Sequence, residues 1–136
     1  MTETERVARA LTECTLPKAE WTHHAHLRAG LWHVVTYGEA EAAALLRERI
    51  SRYNESVGTV NSDSSGYHET LTVFYVKVIA AFVAADAGGD LDAMAERLIA
   101  RQGDRKLPLR HYSRALLFSV EARRAWVEPD VKRLGT

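Results

Sequence analysis

The sequence predicts an all-α fold: a single-domain antiparallel bundle of five or six helices over residues 1–136. Three observations predict it. Apolar residues recur at helical spacing along most of the chain, no segment reads as a strand, and the breaks between periodic runs are short, which favours antiparallel neighbours.

The first helix is expected over residues 3 to 14, with Val7, Ala8, Leu11 and Cys14 on one face. It ends before Pro17, which disfavours helical geometry at Leu16. Thr22 reads as the N-cap of a second helix that reaches Tyr37 and is stopped by Gly38. A third runs from Glu39 to Gly58, with Ala43, Leu46, Ile50 and Tyr53 inward and charges opposite. After the polar loop TVNSDSSG, the run YHETLTVFYVKVIAAFVAADAG is apolar nearly all the way round, so a fourth helix is expected as the central, most buried one. Its β-branched residues would also suit a strand, but the run is too long and has no turn signal before Gly88 and Gly89. Asp90 reads as the cap of a fifth helix ending at Gly103. A sixth is expected over Leu109 to Trp126, stopping before Pro129, with Ala115, Ser119 and Ala122 as a stripe of small residues. If the second, third and fourth helices run up, down and up, the second and fourth begin at the same end of the bundle. The end of the first helix and the start of the sixth reach that end too.

Bulk properties narrow the function classes. Lys plus Arg and Asp plus Glu both number 18, so there is no basic field to favour nucleic acid or an anionic membrane surface. The single cysteine, Cys14, excludes an internal disulfide and a thiolate-rich zinc site, which fits a cytoplasmic protein. Cys14 itself reads as a packed apolar residue at a helix end. The N-terminal stretch does not read as a signal peptide, and the most apolar run, VFYVKVIAAFVAA, is interrupted by Lys77 and too short to span a bilayer. No glycine-rich phosphate loop, Rossmann fingerprint or G-x-S-x-G elbow is present.

The chemistry concentrates in histidines. WTHHAHL, residues 21 to 27, holds three of the six in the chain. His23 and His26 are three apart and share a helix face, His24 points elsewhere, and the face continues through Gly30, which leaves room beside the rings, to His33. A second cluster, GYHETLT, puts His68 and Glu69 in the first turn of the fourth helix, at the same end of the bundle. The candidate site is therefore His23, His26, His68 and Glu69, a nitrogen and oxygen shell suited to one divalent transition metal: zinc, iron, manganese or nickel. Such a metal would activate water or polarise a carbonyl, with Glu69 as ligand or catalytic base. Two helix N-termini facing one cavity also create positive potential, which keeps imidazole neutral and attracts anions, so a metal would need Glu69, Asp63 or Glu13 to compensate.

Tyr67, Asn61, Asp63 and Arg110 are the candidate ligand-binding residues nearby. Trp21 reads as a staple or lid. Three readings stay open: a metal-assisted enzyme acting on a small molecule, a non-catalytic module binding a small ligand or anion in the same pocket, and a structural interaction protein. The last would form a homodimer through the small-residue stripe or Trp126. In the plainest reading the loop NSDSSG and the histidines only cap the helices that follow, Glu69 only complements a helix N-terminus, and Arg110, His111, Tyr112 and Arg114 form a solvated face. The histidine spacing matches no strong metal signature such as H-E-x-x-H.

WTHHAHL and GYHETLT, with HYS and ARRAWVEPD further on, resemble a group of small bacterial all-α proteins that carry W-T-H-x-A-H-L, G-Y-H-E-T-L-T, Y-Y-S and W-V-E-P-D. The resemblance covers the chain from about Leu11 to Asp130. It implies the helical fold and puts His23, His26, His68 and Glu69 on motif positions and His24 on a variable one. It names no reaction. His111 stands where the pattern has tyrosine, so the resemblance implies no role for it.

Overall fold

The computed structural model describes residues 1–135, and among them the chain is helical, with no strand beyond an isolated bridge between Ser62 and Ser65. The expected first five helices form as α1 (Glu3–Thr12), α2 (His23–Tyr37), α3 (Glu39–Ser56), α4 (Glu69–Ala85) and α5 (Leu91–Gln102). Local chemistry sets their ends. The Thr22 hydroxyl accepts from the Ala25 N–H at 3.2 Å and the Asp90 carboxylate from the Ala93 N–H at 3.0 Å, each taking an N–H that the helix itself leaves unpaired. Gly38 turns the chain at φ 83°, a left-handed geometry that glycine enters without a Cβ penalty.

The sixth helix does not form as one piece. Residues 107 to 124 fold as a 3-10 turn (Leu107–Arg110), α6 (Arg114–Leu117) and α7 (Val120–Arg124), so the described residues hold seven α-helices rather than five or six. The breaks are the work of two serines: Ser113 accepts from the Leu116 N–H and Ser119 from the Ala122 N–H, both at 3.2 Å, restarting the helix each time. The expected small-residue stripe therefore does not exist as a helix face. Ala115 is exposed, Ser119 is a cap and Ala122 is buried.

Burial also moves the centre of the bundle from the fourth helix to the second. α2 packs on α1, α3, α4 and α5 and buries Ala25, Leu27, Ala29, Gly30, Leu31, His33 and Val34. Each fully buried leucine there contributes roughly 2 kcal/mol of transfer free energy. Gly30 lets α4 in: a Cβ at that position would stand 2.7 Å from Ile79 Cδ1. α4 instead joins two apolar clusters. Val76, Ile79 and Phe82 face the main bundle, while Phe74 packs with Leu107, Tyr112 and Leu117 from the following segment.

That segment is laced to the start of α4. The Thr70 hydroxyl donates to the Ala125 carbonyl (2.9 Å) and accepts from the Val127 N–H (3.2 Å), and the Tyr112 hydroxyl donates to the Val127 carbonyl at 2.6 Å. Asp130 accepts from the Ser113 N–H and hydroxyl at 2.8 and 2.6 Å. Among the described residues no helix is long and apolar enough to cross a membrane.

Candidate functional site

α2 and α4 both begin beside one cavity of about 570 Å³, and α3 supplies the wall between them. Its sides are mostly apolar, from Leu27, Leu46, Ile50, Leu71, Val76 and Ile79, with the polar groups concentrated where the helices start. His23, His26 and His68 all line it, so imidazoles from two distant parts of the chain meet in one space.

The three rings have different duties. His26 Nδ1 lies 2.7 Å from the Thr22 carbonyl, which only accepts, so Nδ1 carries the proton and Nε2 keeps its lone pair. The ring stacks on Trp21 with centroids 3.6 Å apart and planes at 25°. Neighbouring protein packs closely around His26, yet the residue remains exposed and lines the cavity. Loss of bulk water pushes its pKa down to about 4 against the opposing pull of the Thr22 carbonyl.

His23 stands edge-on to Tyr75, with ring centroids 5.6 Å apart, and its Nε2 is buried with no hydrogen-bond partner. Burial, then the nearby Arg105, holds this imidazole below its ordinary pKa. An orphaned polar atom in a protein interior costs about 1–3 kcal/mol unless something fills its valence.

His68 is the N-cap of α4. Its Nδ1 accepts the Leu71 N–H at 3.1 Å and its Nε2–H donates to the Leu117 carbonyl at 2.7 Å. Both nitrogens are engaged by the scaffold, so a metal there would have to displace one of these two bonds. Burial lowers the His68 pKa as well. Glu69, expected beside it, turns away from the cavity wall: its carboxylate accepts from the Tyr67 hydroxyl at 2.6 Å and lies 3.9 Å from Arg47. Burial and that bond raise the Tyr67 pKa. Among the described residues no three His, Cys, Asp or Glu side chains are arranged to hold a metal ion.

Of the expected ligand-binding residues, only Tyr67 lines the cavity. Asn61 is a bracket behind it, accepting from Asn54 at 3.0 Å and the Tyr67 N–H at 2.9 Å while donating to the Ser51 carbonyl. Asp63 is exposed and ion-paired with Arg124, and Arg110 pairs with Asp104 at 3.1 Å outside the cavity. Glu13 is exposed at the end of α1. His24 is exposed, His33 is buried in the bundle, and His111 bonds the Lys132 carbonyl, so none of the three lines the cavity.

Sequence reasoning missed Arg105, Tyr75, Asn54 and Thr72, which do line it. Tyr75 and Thr72 follow the same α4 face as His68 and Leu71, and that spacing would have found them. Arg105 sits in the turn after α5 and has no local signal; only the packing of that turn against the start of α2 brings it in. No family model, curated protein or solved structure matches the chain.

Proposed function

We propose that the protein binds a small molecule in the cavity between α2, α3 and α4, with His23 and His26 as neutral polar contacts and the leucine and isoleucine walls as its apolar bed. The observation that carries this reading is the buried, partnerless Nε2 of His23 beside a largely apolar cavity of about 570 Å³. Pockets of this size and make-up, with few polar groups in an apolar lining, are the usual form of small-molecule sites. The reading takes α2, α3 and α4 as running up, down and up, and treats the protein as cytoplasmic on account of its single, half-buried cysteine.

The test is a thermal-shift screen of small acids, amides and alcohols with hydrocarbon or aromatic bodies against untagged protein, repeated on His23→Phe. A ligand at a hundred times its Kd stabilises the fold by about 2.7 kcal/mol. A hit that disappears in His23→Phe supports the site, and a screen in which no compound raises the melting temperature overturns it.

A metal-assisted enzyme is the second reading, favoured by two imidazoles kept neutral on one wall. It requires Glu69 to leave Tyr67, or another ligand to complete the shell. Stoichiometric zinc, iron, manganese or nickel in untagged protein, lost in His26→Ala, would establish it over the first.

A further inference from the structure

The charged side chain that lines the cavity is a cation, although the Asp104 carboxylate stands near enough to act on His23 and Tyr75. Among the described residues no aspartate or glutamate lines the cavity, whereas Arg105 does. The neighbouring carboxylate, Asp104, is already committed to the Lys106 N–H at 2.9 Å and to Arg110 at 3.1 Å, and among the described residues no hydrogen bond or ion pair holds the Arg105 guanidinium. α2 begins at the cavity with no acidic residue in its first turn. α4 has Glu69 in its first turn, but Tyr67 and Arg47 occupy that carboxylate. α3 ends near the same space, yet its last carbonyls are taken by the N–H groups of Val57, Gly58 and Thr59 and by the Ser56 hydroxyl, which blunts the negative end of its dipole.

Building on the small-molecule reading above, we propose that the ligand is an organic monoanion, a carboxylate on an apolar body, with Arg105 as its counter-charge and the His23 Nε2 as a second polar contact. The guanidinium presents paired donors that match the two oxygens of a carboxylate. A neutral imidazole is free to place its one proton on Nε2, and a carboxylate oxygen accepts it. The body lies along Leu71, Val76 and Ile79. A cavity of about 150 Å³ holds benzene, so this space has room for a chain or ring system several times larger. Arg105 is exposed as well as lining the cavity, as expected for a residue that selects the head group of the ligand rather than holding the fold.

The experiment is isothermal titration of the full, untagged chain with matched pairs: octanoate against octanamide, and 4-phenylbutanoate against its amide. In wild type the acid is expected to bind at least about tenfold tighter than the amide, the scale of one charge-assisted hydrogen-bonded pair. Arg105→Gln should erase that preference by weakening the acid and leaving the amide within about twofold. Arg105→Lys should restore part of it, and Arg114→Gln, an exposed arginine outside the cavity, should change neither. Equal binding of acid and amide in wild type, or an acid affinity unmoved by Arg105→Gln, overturns the proposal while the small-molecule site stands. Failure of every acid and amide to bind overturns both.

Discussion

His33 makes the stability of the fold depend on pH. It is wholly buried on α2, and its Nδ1–H donates to the Ala29 carbonyl at 2.7 Å. Nε2 is therefore bare and accepts from Arg49 at 2.8 Å, an arrangement that only the neutral imidazole sustains. Burial pushes the pKa down to about 4, with Arg49 adding to it and the Ala29 carbonyl opposing. In the unfolded chain the ring titrates near its ordinary value of about 6.5. Below that value the unfolded chain binds the proton more readily than the folded one, so stability is complete above about pH 6.5 and is lost as the pH falls toward about 4. A difference of about 2.5 pKa units corresponds to about 3.4 kcal/mol at the limit, of which about 2 kcal/mol is gone by about pH 5.

Urea denaturation of wild type and His33→Leu at about pH 7.5 and about pH 5 measures this as a double difference. The variant starts less stable because Arg49 loses its acceptor, but that loss is the same at both pH values and drops out. His23, His26 and His68, also held low by burial, contribute to both proteins alike. His33→Leu should thus lose about 2 kcal/mol less than wild type on acidification. Equal losses in the two proteins would refute the reasoning, as would a His33 resonance in wild type that titrates near pH 6.5.

Two further substitutions follow from backbone geometry and capping. Gly66→Ala is expected to destabilise by about 2 kcal/mol or more, because φ is +77° and the new Cβ would stand 2.5 Å from the Val60 carbonyl oxygen and from Asn61 Oδ1; a melting temperature within a degree of wild type would count against it. His68→Ala removes both the α4 cap and the Leu117 contact, at a combined cost of about 2 kcal/mol by chemical denaturation. His68→Asn keeps a cap acceptor and should recover about half of that, whereas equal losses in both variants would show that the cap contributes nothing.

Much of the fold was legible because the signals were local. Thr22, Gly38 and Asp90 sit where the chain must change direction, and their side chains or φ angles do what their types suggest. The sixth helix was misread for an instructive reason. Ser113 and Ser119 each sit three residues before an N–H they cap, but in an apolar run small residues also look like helix packing, and only the second apolar cluster decides between the two. At the site, the helical spacing of His23 and His26 was legible, and those two rings line one cavity with His68. Which way Glu69 faces was not legible, since that rests on the Tyr67 hydroxyl two residues away winning the carboxylate from the cavity. Arg105 was invisible for the opposite reason: nothing about its turn sets it apart until the turn is packed.

The lacing of residues 111–132 onto α4 also orders events in time. The His68 ring waits for a carbonyl 49 positions later, and the Thr70 hydroxyl for partners 55 and 57 positions later. On a growing polypeptide, the start of the α4 helix that walls the cavity is left with an open joint until the segment beyond Leu117 has left the ribosome. That part of the cavity wall is thus fixed only by residues made much later, and a chain arrested before that point would lack the partners of His68 and Thr70.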